Sequence, residues 1–305
     1  MPWYEGYDMT DPTSKEIVRH AWEHGTAIPS FNVPYLPMME PIIRALRDAG
    51  VMGQVSVARV DWTRFEADSP KAVAEEYQRL KDPACVRLHL DHVPVIDEDN
   101  ELVDYDEILS EALELGYDSV MVDGSRLPLD ENIEVTRQVV AMARQTGAAV
   151  EAELGAVLGH EAGPLPDYEE LFTSGRGFTD PGEARRFVQE TGVDWLSVAV
   201  GNIHGAVSGA AKSQKKVEAR LNLEHLARLR EAAGVPLVLH GGSGIKDECI
   251  VAGIKAGIAK INVATAIRQP YEQGLQQSVQ AGQERVYEAV TEVLKHMVHL
   301  EPFRA

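Results

Sequence analysis

The chain has 305 residues, a hydrophobic fraction of 44%, a charged fraction of 25% and a formal net charge of −19. That acidic balance excludes nucleic acid and anionic membrane surfaces as electrostatic partners, because both select a basic footprint. No apolar run approaches the roughly 20 residues that span a bilayer, the start Met1-Pro2-Trp3-Tyr4 lacks a secretory signal, and two cysteines, Cys85 and Cys249, make no disulfide framework. The expected compartment is therefore the cytosol, and an anionic small molecule remains an admissible ligand, since local donors act within a short screening length.

Strand-like runs occupy 27–32, 53–58, 86–91, 119–123, 148–154, 195–200, 236–240 and 259–263. They are short and apolar without strict alternation, as expected of strands covered on both faces. Helical patterns lie between them: 36–48 after a proline-rich entry, 106–115, 129–146, a start at Thr179-Asp180-Pro181, 222–233 and 246–257. Past the eighth strand, 269–299 reads as one or two further helices, with Val286, Val290, Val293, Leu294 and Met297 forming an apolar stripe that either caps the fold or meets another subunit. The series predicts an α/β protein, a single (β/α)8 TIM barrel with additional C-terminal helices; a doubly wound open sheet is the competitor, and eight regular units favour closure. No linker or low-complexity segment interrupts it, so 1–305 reads as one domain. The segments 155–177 and 201–221 exceed the usual βα loop length and follow motif-bearing strands, which makes them lid candidates.

Three strand ends carry histidines: His92 in Leu-His-Leu-Asp-His, His204 in Gly-Asn-Ile-His-Gly, and His240 in Leu-Val-Leu-His-Gly-Gly-Ser-Gly. A single such histidine is more often a core or surface residue. Three at the C-terminal ends of barrel strands, where barrel enzymes keep their chemistry, suit a metal held by three protein ligands with a position left open. Asp91 precedes His92 and can orient a ligand or act as a general acid/base. Gly241 and Gly242 lead a turn whose N–H groups can cradle phosphate, although a tight turn also favours glycine. Glu151 and Glu153 lie two apart on one side of a strand, and Asp123 ends another; acidic groups there need a metal or a salt bridge. Asn262 and Thr265 suit a phosphate or a substrate hydroxyl.

The motifs Leu88-His-Leu-Asp-His92, Gly116-Tyr-Asp-Ser-Val-Met-Val-Asp-Gly-Ser125, Val150-Glu-Ala-Glu-Leu-Gly155, Gly201-Asn-Ile-His-Gly205, Leu239-His-Gly-Gly-Ser-Gly244 and Lys260-Ile-Asn-Val-Ala-Thr265 resemble those of the class II, metal-dependent ketose-bisphosphate aldolases, from about Ile28 to Ile267. The resemblance implies a zinc-dependent aldolase, with fructose- or tagatose-bisphosphate-like substrates and dihydroxyacetone phosphate as one product. It implies His92, His204 and His240 as zinc ligands and Glu153 as the acidic residue beside them. Asp91 would work at the aldehyde oxygen, Glu161 would move the proton at the dihydroxyacetone phosphate carbon, and Asn262 would contact the enediolate. Substrate and phosphate contacts would come from Asn32, Ser56, Gly205, Lys212, Gly241, Gly242, Ser243, Asn262, Ala264 and Thr265. Zn2+ or another divalent metal, a monovalent cation (Na+ or K+) and a homo-oligomer, dimer or tetramer, are further implications.

The chain also departs from that pattern. Val93-Pro94 follows the second histidine, the acidic stretch Asp97-Glu-Asp-Asn-Glu101 lengthens the third loop, and Ala264 replaces an acid of the fructose-specific branch. The segment 55–70 is unusual for a second-strand loop, with Arg59 and Arg64 as candidates for a distal phosphate or a subunit contact. The aldehyde half of the substrate is thus the open point. The rival readings are a metal-dependent sugar-phosphate isomerase or epimerase without C–C cleavage, and a non-catalytic sugar-phosphate binder.

Overall fold

A computed structural model of the chain describes residues 11–155, 157, 168–202, 219–242 and 245–297. In chain order its elements are α1 (Ser14–His24), β1 (Ile28–Asn32), α2 (Met39–Ala49), β2 (Gly53–Ala58), α3 (Arg59–Thr63), α4 (Pro70–Leu80), β3 (Val86–Pro94), α5 (Tyr105–Glu114), β4 (Ser119–Asp123), α6 (Leu129–Ala143), β5 (Ala149–Leu154), α7 (Tyr168–Ser174), α8 (Pro181–Thr191), β6 (Trp195–Val198), α9 (Leu223–Ala233), β7 (Leu237–Leu239), α10 (Asp247–Lys255), β8 (Ile258–Val263), α11 (Thr265–Leu275) and α12 (Val279–Met297). All eight strands pair in parallel and in sequence order, and β8 closes on β1. The expected barrel and its eight strands are present, and the C-terminal region holds two helices, α11 and α12, that pack on each other, with α12 also packed on α2.

Helix boundaries follow local chemistry. Thr13 and Glu16 make a reciprocal capping box at α1, and Asp180 caps α8 ahead of Pro181. Gly25, Gly192 and Gly234 end α1, α8 and α9 in the left-handed conformation that glycine adopts without a Cβ penalty. Four helices had no counterpart in the sequence reading: α1, α3, α4 and α7. Of these, α1 has a structural role at the barrel floor: Ile17, Val18 and Ala21 join Ile28, Met52, Ala149, Trp195, Val238 and Ala259 in a separate apolar cluster.

The strands are amphipathic after all, with their polar side turned inward. Along β5, Val150, Ala152 and Leu154 belong to the large apolar core shared with the helices, whereas Ala149, Glu151 and Glu153 alternate with them. The barrel interior is therefore apolar at the floor and polar above. Ser30, Ser56, Gln54, His89, Ser119, Glu151, Ser197 and Lys260 are all buried there, and most of their polar atoms bond one another, as burial requires, with Gln54 Oε1 and His89 Nε2 as the exceptions among the described residues.

Candidate active site

The site forms where the strands end. Strand β3 supplies its centre by breaking its own period. His89 and Asp91 share one face, and simple alternation would turn His92 outward with Leu88 and Leu90. The β3–β4 register shifts between Leu90 and Val93, and His92 has φ 37°, in the left-handed region that non-glycine residues seldom enter. The bulge brings His92 Nε2 to 2.8 Å from His240 Nδ1, at the end of β7. Strained backbone at such a point commonly marks function.

The far nitrogen of each ring meets a carboxylate. His92 Nδ1 lies 3.3 Å from Asp123 Oδ2 at the end of β4, and His240 Nε2 lies 2.7 Å from Glu151 Oε1. Glu151 gives its other oxygen to Lys260 Nζ at 2.7 Å, and Lys260 also donates to Asn262 Oδ1 at 2.6 Å. Asn262 Nδ2 donates to Asp91 Oδ1 and Asn32 Nδ2 to Asp91 Oδ2, both at 2.9 Å. A hydrogen-bonded chain thus runs from β1 through β3, β8, β5 and β7 back to β3 and β4, and both oxygens of Asp91 are clamped by amides.

The charges follow from this network. For Asp91, burial acts to raise the carboxyl, but His92, His240 and Lys260 overcome it and hold the group well below the usual range. Burial likewise opposes ionisation of Glu151, yet Lys260 and His240 bring it down to about 2. Asp123 is held at about 2, against burial, by His92 and Ser125. Glu153 goes the other way, up to about 8, because burial and the neighbouring Asp123 disfavour its charge. His92 is driven up to about 10: burial would lower it, but Asp91, Asp123 and Glu153 outweigh that cost. The carboxylates gathered around His92 therefore favour positive charge at this point.

These observations fit a divalent metal. Two imidazole nitrogens converge, and each ring is oriented by a carboxylate on its opposite nitrogen, the usual support of a metal-bound histidine. Asp91, His92 and His240 present ligand atoms within 4.8 Å of one another, and so, separately, do His92, Asp123 and Glu153. Glu153 accordingly sits on the Nδ1 side of His92, 3.9 Å from that nitrogen, and not on the side where His240 converges. A third grouping, His89 with Asp91 and Glu151, includes a buried His89 Nε2 without a hydrogen-bond partner among the described residues.

The remaining expected residues divide clearly. Ser56 is fully buried within the barrel, where Ser30 Oγ donates to it at 3.2 Å. Gly241, with φ 68°, and Gly242 follow β7, while Ala264 precedes α11 and Thr265 begins it. Arg59 pairs with Asp97, and Arg64 with Glu98 and Asp99. The acidic third loop therefore engages both arginines. Glu161, His204, Gly205, Lys212 and Ser243 lie outside the described residues, as do most of the two expected lid segments; α7 occupies 168–174 of the first. Sequence reading missed two groups. His89 was detectable, two residues before Asp91 on the same strand face. Asp61, buried 3.5 Å from Asn32, lies in no motif.

Comparison with known proteins agrees with this geometry. Residues 12–301 match the family model described as fructose-bisphosphate aldolase class-II. A fructose-bisphosphate aldolase of Streptococcus pneumoniae is 35% identical over 260 residues, covering 84% of this chain and 80% of that protein. A 6-phospho-5-dehydro-2-deoxy-D-gluconate aldolase of Bacillus licheniformis is 34% identical over 259 residues, with the same coverage of each. Among solved structures, the YdjI aldolase from Escherichia coli K12 superimposes with a TM-score of 0.71 at 29% identity, covering 94% of this chain and 96% of that one.

Proposed function

The chain belongs to the class II fructose-bisphosphate aldolases, metal-dependent carbon–carbon lyases acting on sugar phosphates, and we propose that it is a zinc enzyme cleaving and forming the C3–C4 bond of a phosphorylated ketose, with dihydroxyacetone phosphate as one product. The observation that carries this reading is the convergence of His92 and His240 beside an amide-clamped Asp91. His92, His240 and His204 would hold the zinc, with Glu153 as a nearby acidic group. Bound there, zinc would supply Lewis-acid stabilisation of the negative charge left on the ketose fragment.

The chain's own groups handle protons and position. Asp91 is ionised and has both oxygens fixed, so it is set to take the C4 hydroxyl proton in cleavage and return it in condensation. Glu151, locked by Lys260, fixes the His240 ring. We assign the proton at the dihydroxyacetone phosphate carbon to Glu161. Phosphate binding goes to Gly205, Lys212, Gly241, Gly242, Ser243, Ala264 and Thr265; donors after strands 7 and 8 are a frequent barrel arrangement. Asn32 and Asn262 serve the reacting end, and a monovalent cation near the phosphate, a homo-oligomeric state and a cytoplasmic setting complete the reading. No helix among the described residues is long and apolar enough to cross a membrane.

The test is dihydroxyacetone phosphate release from a panel of phosphorylated ketoses, including fructose and tagatose bisphosphates and 6-phospho-5-dehydro-2-deoxy-D-gluconate. Zinc-loaded and chelator-stripped protein are compared. Zinc-dependent release is expected; interconversion of sugar phosphates without triose phosphate would replace this reading with an isomerase.

A further inference from the structure

Among the described residues, Asp61 is a buried carboxyl near the site that the proposed chemistry leaves without a task. It sits in α3, directly after β2, and is 5% exposed. Its Oδ2 accepts from the Ala58 amide at 2.8 Å and from Asn32 Nδ2 at 3.5 Å. Both bonds fall on Oδ2, and none among the described residues falls on Oδ1. Asn32 Nδ2 is the same amide that holds Asp91 at 2.9 Å, so one side chain separates Asp61 from the proposed acid/base. The phosphate donors proposed after β7 and β8 lie across β1 from it in the closed barrel order. On the aldolase reading, a ketose with its phosphate there and its C4 hydroxyl at Asp91 would carry its aldehyde half toward β2.

The charges on that side disfavour an anion. Arg59 and Arg64 pair with Asp97, Glu98 and Asp99, and Arg268 pairs with Glu272 at 2.6 Å. Arg126 Nη1 donates to the Asp97 carbonyl and to Asn100 Oδ1. Asp91 beside Asp61 carries negative charge and the neighbouring guanidinium groups are engaged, which disfavours a phosphate or carboxylate on that side. The Asp61 carboxyl can accept from a sugar hydroxyl. Burial raises the Asp61 pKa to about 7, so the group can also donate near neutrality.

Resting on the aldolase reading, we infer that Asp61 is a specificity-determining residue that bonds a hydroxyl of the aldehyde half, and that this half is a neutral polyhydroxy aldehyde with no terminal phosphate or carboxylate. Steady-state condensation with dihydroxyacetone phosphate tests this on the full-length zinc enzyme. The acceptors are D- and L-glyceraldehyde and tetroses, against glyceraldehyde 3-phosphate and a 3-oxo carboxylate. A neutral aldehyde should exceed both anions in kcat/KM by tenfold or more. Asp61→Asn should raise the KM for that aldehyde at least tenfold and narrow its advantage over the anions, with a much smaller change in kcat. Preference of the wild type for glyceraldehyde 3-phosphate or the 3-oxo acid overturns the inference and needs no variant to fold. An equal loss of kcat for every acceptor in Asp61→Asn overturns it too, since that is the mark of a purely structural group. Solvent deuterium exchange at the dihydroxyacetone phosphate carbon, run without aldehyde, separates the two levels. If exchange occurs and anionic acceptors win, only the Asp61 inference falls; if zinc-loaded wild type shows no exchange, the aldolase reading falls and takes the inference with it.

Discussion

The Glu151–Lys260 pair permits a test that separates stability from metal binding. Both side chains have zero exposure, and their 2.7 Å contact is continued by His240 on one side and Asn262 on the other. Removing one partner of a buried pair strands the other charge and costs about 3–5 kcal/mol. Lys260→Met strands Glu151 Oε2 and leaves Asn262 Oδ1 unpaired, adding about 1 kcal/mol. Glu151→Gln strands Lys260 and removes the anionic acceptor of His240 Nε2. The double variant removes both charges, so its loss should fall short of the sum of the singles by about 2–3 kcal/mol. Zinc affinity should sort differently. Glu151→Gln and the double variant should each bind zinc about 10–100-fold more weakly, because the ring loses its orienting carboxylate, whereas Lys260→Met keeps Glu151 on His240. Urea unfolding of the metal-free proteins and zinc titration against a competing chelator give the two quantities. Additive stability losses, or zinc affinities that track stability across the three variants, would refute the assignment of separate roles.

Other outcomes follow from the same network. Asp91→Asn should lower the cleavage rate about 10²–10⁴-fold, as loss of a general base does, while zinc content measured by elemental analysis stays near wild type. Asp61 has a raised carboxyl, about 7 in the fold against 3.8 for the ordinary group, so its stabilising share is complete below pH of about 4 and is lost as pH rises through about 7. The wild type should therefore lose stability relative to Asp61→Asn across that window, by on the order of 4 kcal/mol at most; a pH-independent difference in urea midpoints would contradict it. Gly155 has φ 92°, and an added Cβ would lie 2.5 Å from Thr179 Oγ1 and 3.0 Å from its amide. Thr179 Oγ1 also donates to the Leu154 carbonyl, so Gly155→Ala should destabilise by about 2–3 kcal/mol in urea unfolding.

The sequence alone determined the barrel, since eight apolar runs separated by helical patterns admit few other closures, and each run became a strand within a few residues. It also pointed to the strand ends as candidates for chemistry, because histidine, aspartate and glutamate at the mouth of apolar strands are costly to place there. It could not reveal α1 as the barrel floor, because its apolar face is short and gains its stability only from Trp195 and the inner strand residues it covers. The polar period of β5 was legible in Glu151 and Glu153, but the partners of Glu151, Lys260 and His240, were not, because they come from strands distant in sequence. Only the tertiary structure decided that a bulge turns His92 into the mouth, that two amides from β1 and β8 share Asp91, and that Asp61 joins them. Those relations cross the barrel between strands distant in sequence. Local propensity carries no signal for them, whereas closure of the sheet fixes them to within a hydrogen bond.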